Sequence, residues 1–106
     1  MSNSDFPAPG HTYEARFGEF AFRLQFDTDG KTMRFAAADI ADFSNAQAVK
    51  YRALAIRPHV FMVTWTEADQ TTVTHVEDFE NGVVHTNITK PDHTFLNLSG
   101  SWTHVA

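Results

Sequence analysis

Three groups of residues carry side chains able to do chemistry. The first is His75, Glu77 and His85. Imidazole and carboxylate suit zinc, iron or nickel, and in an extended strand His75 and Glu77 share a face because side chains repeat every second residue. The second is Arg52. A guanidinium inside a pocket grips a carboxylate or phosphate through two parallel hydrogen bonds. The third is an aromatic set: Tyr13, Phe20, Phe22, Phe26, Phe35, Phe61, Trp65 and Trp102. Such rings either fill a core or wall a pocket for a planar, apolar ligand. Other chemistries lack their residues. There is no Cys, which removes disulfides, thiolate zinc sites and a cysteine nucleophile. Eight Lys and Arg stand against thirteen Asp and Glu, with no basic cluster to meet a nucleic acid. No Gly-rich phosphate loop and no nucleophile motif occurs. The sequons at Asn87 and Asn97 fall inside strands and read as coincidence.

These groups must be positioned by strands, since period-two alternation runs through almost the whole chain. Residues 1–10, with Pro7, Pro9 and Gly10, read as an N-terminal tail, and residues 11–106 as one domain. A chain of 106 residues holds one core. Tyr13, Ala15 and Phe17 alternate, then Phe20, Phe22, Leu24 and Phe26, then Met33 and Phe35. Gly18-Glu19 and Asp29-Gly30 are hairpin turns. They pair Phe17 with Phe20, Ala15 with Phe22, Tyr13 with Leu24, Phe26 with Met33 and Leu24 with Phe35. All of these fall on one face, which a slip of one residue would scatter. Residues 36–48 break the alternation and read as a connection with room for one helical turn. Strands resume at about 49–57, 59–66, 71–79, 83–89 and 94–104 by the same alternation.

Register then assigns faces. A three-residue loop holding Asn81-Gly82 pairs Phe79 with Val83 and sets His85 opposite Glu77. Pro91-Asp92-His93, as a type I turn plus bulge, pairs Lys90 with Thr94. One face carries Phe61, Val63, Trp65, Thr72, Thr74, Val76, Val84, Thr86, Ile88, Leu96, Leu98 and Trp102. The other carries His75, Glu77 and His85, so the trio is expected outside and no metal is expected. If Arg57 to Val60 is a two-residue turn, Arg52 pairs with Trp65 and points inward, with Asp78 or Tyr13 as its resting partner. A turn longer by one residue sends Arg52 outside and Tyr51 inside. His11, His59, His93 and His104 read as turn or terminal residues. About eight sequential antiparallel strands with one buried face close most simply into an all-β barrel, whose interior holds side chains or one small ligand.

Several runs also resemble a known family. They are Val73 to Gly82, Val83 to Asp92 and Thr94 to Gly100, with Ile56-Arg57-Pro58, Val60 to Glu67, and Gly10 to Tyr13 leading into Phe22 to Phe26. Together they resemble the MoaF-like family, small proteins related to molybdenum cofactor biosynthesis protein F. The resemblance implies a single calycin or lipocalin-like barrel and no particular reaction. A more distant likeness is to the phenolic acid decarboxylases, small dimeric barrels that share the hairpin from Phe61 to Glu67. Their reaction uses two tyrosines, an arginine and a glutamate. This chain has Phe22, Leu24 and Phe26 on the early strand and Pro58 near the glutamate's place, so that reaction is not expected.

The resulting expectation is a lipocalin-like barrel binding a small molecule that is planar, aromatic and acidic. The expected ligand-binding residues are Tyr13, Phe22, Arg52, Phe61, Trp65 and Trp102. No cofactor is expected and no catalytic residue is assigned. Two alternatives remain: a small lyase or isomerase using Arg52 with Tyr13 or Tyr51, or an accessory module with a filled core. Apolar outward residues Val60, Met62 and Phe95, joined by Tyr51 and Ala53, suggest a homodimer. The N-terminus lacks a signal peptide pattern and no apolar run is long enough to span a bilayer, so a cytoplasmic protein without a membrane partner is expected.

Overall fold

The computed structural model describes residues 5–39 and 46–106. Eight antiparallel strands follow one another around a closed barrel: β1 (Thr12–Phe17), β2 (Phe20–Phe26), β3 (Thr32–Ala37), β4 (Gln47–Arg57), β5 (Val60–Thr66), β6 (Thr72–Asp78), β7 (Val83–Thr89) and β8 (Phe95–His104). Among the described residues there is no helix, hence none long and apolar enough to cross a membrane. Closure comes from β1 pairing with β8, with Ala15 opposite Trp102 and Tyr13 opposite His104. Gly100 makes this seam possible, because a Cβ there would collide with the Arg16 carbonyl oxygen.

The first three strands pair as their alternation demands, through Phe17 and Phe20, Ala15 and Phe22, Tyr13 and Leu24, Leu24 and Phe35, and Phe26 and Met33. Gly18 supplies φ +63° at the first central place of its turn, which suits the twist of the flanking strands. The β7–β8 hairpin also has the expected form. Lys90 N–H donates to the Thr94 carbonyl, His93 takes φ 73°, and the Asp92 carboxylate accepts the Thr94 N–H at 2.9 Å.

Three registers differ from expectation. Between β4 and β5 the turn at Pro58-His59 has two residues and Arg57 faces Val60, but Ala55, not Ile56, faces Phe61. Ile56 is an extra residue in β4, a β-bulge, and one extra residue exchanges the faces of everything before it. Tyr51 therefore faces Trp65 and is buried, while Arg52 faces Thr64 and is exposed outside the barrel. The sequence holds a trace of this, since Val49 and Tyr51 alternate with Lys50 and Arg52 in one phase while Leu54 and Ile56 follow the other.

Strand β6 is inverted relative to expectation, because the loops on both sides have other lengths. Glu67 N–H donates to the Thr71 carbonyl and Gln70 takes φ 78°, so the β5–β6 loop proper is Ala68, Asp69 and Gln70. After β6 the turn has four residues, 79–82, with Asp78 facing Val83. The Asp78 carboxylate holds that turn by accepting the backbone N–H groups of Glu80 and Asn81 and the Asn81 side-chain amide. Val73, His75 and Glu77 thus point inward, and Thr72, Thr74 and Val76 outward. Asp78 is no partner for Arg52; it lies 3.8 Å from Arg57. Of the 36–48 connection, Ala36 and Ala37 complete β3 and Gln47 and Ala48 begin β4. The helical turn expected there falls largely outside the described residues.

The two ends of the barrel differ. At the end holding the turns at 58–59 and 79–82, the N-terminal segment folds over the opening. Phe6 packs at 5.2 to 5.7 Å against Phe61, Phe26, Tyr51 and Phe79, mostly edge to face. Tyr13 stacks flat on Trp102 at 4.9 Å. Burying a ring such as Phe26 stabilises the fold by about 2–3 kcal/mol, and this end is packed solid with such rings.

Candidate functional site

Among the described residues the opposite end is open. The turn at Gly18-Glu19, the end of β3, the start of β4 and the loops at 67–71 and 90–94 surround it. Beneath lies a cavity of about 590 Å³, within the size range of small-molecule sites. Phe17, Leu24, Phe35, Trp65, Val73, Ile88, Leu96 and Leu98 form its walls. Phe20 and Phe22 form an apolar lip, exposed by 66% and 38%. Glu67, Asp69, Thr71 and Lys90 sit along the same surface near the mouth. A larger hollow of about 740 Å³ lies outside the barrel over β4–β6 and includes Arg52, Thr64 and Thr74. It is an open surface on the outer face of the sheet, so the interior cavity is the candidate site.

At the inner cavity surface is His75, buried and held between the rings of Trp65 at 4.8 Å and Trp102 at 6.1 Å. Its Nδ1 lies 3.0 Å from Oε2 of Glu77, whose side chain is fully buried. Burial pushes the Glu77 carboxyl above its ordinary value, and the hydrogen bond and charge of His75 pull it back only in part. The Tyr13 phenol is raised first by burial and then by Glu77, and that of Tyr51 first by burial, then by Asp29 and then by Glu77. Tyr51 is pushed up to about 12. Among the described residues, four buried polar atoms in this interior have no hydrogen-bond partner: Glu77 Oε1, Tyr51 OH, Thr86 Oγ1 and Trp102 Nε1. Thr86 lies directly opposite His75 on β7. An unsatisfied buried polar group costs about 1–3 kcal/mol, so this is an expensive way to build a core.

Near the mouth, Trp65 Nε1–H donates to Glu67 Oε2 at 3.3 Å. Burial raises the Glu67 carboxyl despite that bond. The hydroxyl and N–H of Thr71 hold the Asp69 carboxyl below its usual range. Lys90 is the one cationic side chain among the described residues lining the cavity.

Of the residues expected to bind a ligand, Phe22 and Trp65 line the cavity. Tyr13, Phe61 and Trp102 point inward but belong to the packed half beneath it. Arg52 is outside. The His75, Glu77 and His85 trio is divided: the first two face inward, while His85 is exposed and meets Ser99 Oγ at 2.7 Å. Among the described residues no three His, Asp or Glu side chains converge as metal ligands would. The inward pair escaped the reading of the sequence because β6 has few apolar residues to mark its face. A usable signal existed. Glu67-Ala-Asp-Gln-Thr71 parallels Lys90-Pro-Asp-His-Thr94, and in both the Asp accepts the N–H of the Thr two residues later. Reading the two as the same three-residue loop turns His75 inward.

A closed up-and-down barrel of eight antiparallel strands is the architecture found in lipocalins. The chain belongs to the MoaF-like family, whose profile matches residues 9–103. A search of curated proteins finds no match. Among solved structures, a crystal structure of a Burkholderia vietnamiensis protein provisionally named a beta-lactamase is similar, with 31% sequence identity and a TM-score of 0.86. The similarity covers 94% of this chain and 97% of that one.

Proposed function

We propose that this MoaF-like protein binds a planar, largely apolar small molecule inside the barrel, entering between Phe20 and Phe22. The observation that carries this reading is the cavity of about 590 Å³, walled by apolar side chains and, among the described residues, open at one end. A core-filled accessory module would have used that volume for packing, which a chain this short needs for stability. The acidic character expected of the ligand loses its main support with Arg52 outside; an acid group would find its cation in Lys90 near the mouth. The beta-lactamase name of the Burkholderia neighbour finds little support in the lining, where Thr71 is the one hydroxyl side chain and no Ser occurs among the described residues. As part of the same reading, we propose that two copies pair through the outer faces of their barrels.

Trp65 lines the cavity, so its fluorescence reports occupancy. Titration with a neutral planar aromatic probe such as 2-acetylnaphthalene should give a saturable change with one site per chain. Leu98→Trp, which fills the cavity from β8, should abolish it. No saturable change, together with no small molecule released from the native protein in mass spectrometry, would count against a binding function.

A further inference from the structure

We propose that the His75–Glu77 pair is a hydrogen-bond donor site at the cavity floor that receives the carbonyl oxygen of a planar, otherwise apolar ligand. This rests on the binding function proposed above and specifies which end of the ligand enters first.

The geometry leaves the imidazole one free edge. Nδ1 is engaged by Glu77 Oε2 at 3.0 Å, and Nε2 makes no hydrogen bond to a described side chain. His75 is also the residue of the pair that lines the cavity. The rings of Trp65 and Trp102 fix its plane from two sides. Glu77 lies beneath, with Phe61 and Val84 as its cross-strand neighbours and no exposed surface.

Such burial favours the protonation state in which the pair carries no net charge. Two arrangements satisfy this, a carboxylic acid beside a neutral imidazole and a carboxylate beside an imidazolium. In both, one proton lies between Oε2 and Nδ1 and another stays on Nε2. The cavity is therefore offered an N–H donor, and the ligand atom that meets it must be an acceptor. Among the described residues, the other titratable groups facing inward are Tyr13 from β1 and Tyr51 from β4, with Glu67, Asp69 and Lys90 near the mouth. None places a fixed positive charge at the floor, where a ligand carboxylate would also lie close to Glu77. A neutral carbonyl, as in an aryl ketone, quinone or aldehyde, fits better. Behind His75, Thr86 Oγ1, directly across on β7, and Glu77 Oε1 are further buried polar atoms without a partner among the described residues.

Three probes with one ring system test the assignment by calorimetry on the intact protein: 2-acetylnaphthalene, 2-ethylnaphthalene and 2-naphthoate. The ketone should bind about five- to tenfold more tightly than the hydrocarbon, the gain from one hydrogen bond. Combining His75→Phe with Glu77→Leu, which leaves no unpaired charge, should erase that preference and keep hydrocarbon binding. Imidazole 15N spectra of the unmutated protein give a second readout that survives if the double variant fails to fold. The His75 Nε2–H signal should move on adding the ketone and stay in place with the hydrocarbon. Equal affinity for ketone and hydrocarbon would overturn the donor site while leaving the binding function intact. Tighter binding of the naphthoate, or an unchanged preference in the folded double variant, would overturn it as well. No binding of any probe would overturn the binding function and this inference with it.

Discussion

Burial raises the Glu77 carboxyl above its ordinary 4.5 while the bond to His75 lowers it, and this gives the protein a measurable dependence on pH. The folded state retains a proton that the unfolded chain has released. The stability it contributes is complete below pH 4.5 and is lost as pH rises through the folded value. Glu77→Gln has no such proton to lose. The stability of the native protein relative to Glu77→Gln should therefore fall as pH rises from 4.5, as read from denaturant midpoints at a series of pH values. A difference that stays flat across that range would place Glu77 in contact with water. The turn carboxylates act in another window and with the opposite sign. Asp29 is held at about 2 by the Lys31 and Thr32 N–H groups and the Thr32 hydroxyl, and its contribution is lost only as pH falls through that value. The chemistry available at these positions was legible in the sequence, since His75 and Glu77 stand out by type and spacing. Their burial was not, because that is a property of the face and not of the residue.

Faces are set by the connections between strands, and there the outcome depends on single residues. Gln70 and His93 both take positive φ without being Gly, a conformation that costs an L-residue about 1–2 kcal/mol. Gln70→Gly should stabilise the protein by about 0.5–1 kcal/mol in urea unfolding, since the strain relieved exceeds the added chain entropy. No gain would mean that the loop relaxes to a different turn. Gly100 is the converse case. Its missing side chain lets β8 approach the Arg16 carbonyl of β1, and Gly100→Ala should destabilise by about 1–3 kcal/mol or more by forcing the seam apart. The same unfolding measurement checks it, and a neutral effect would show that the barrel closes more loosely there. The hairpins at 18–19 and 91–93 were legible because Gly18 and Pro91-Asp92 announce their turns. The bulge at Ile56 and the loop at 68–70 have no Gly or Pro of their own, so the alternation passed through them in the wrong phase.

Among the described residues two apolar surfaces stand out. One is the lip of Phe20 and Phe22 over the cavity. The other is on the outer sheet, where Leu54 and Ile56 are 46% and 55% exposed and Met62 lies opposite Leu54. Tyr51 does not join this patch, because the bulge turns it inward, and Val60 is buried. Contiguous exposed aliphatic residues on a small barrel commonly mark a subunit contact. Light scattering at micromolar concentration should give twice the chain mass of 11.9 kDa, and Leu54→Glu combined with Ile56→Glu should shift it to the monomer. A monomeric mass for the unmutated chain would remove the homodimer. By itself the sequence determined that the chain would be a barrel of eight sequential antiparallel strands. Alternation and turn residues are local signals, and with one apolar face per strand a closed sheet is the arrangement that removes the edges. Only the tertiary structure decided what the interior contains. Side-chain direction has a period of two, so one extra residue at Ile56 put Tyr51 inside and Arg52 outside. A loop one residue shorter before β6 and one residue longer after it turned His75 and Glu77 inward. Those exchanges leave composition and alternation unchanged, and they become visible only once each strand is seen against its neighbours.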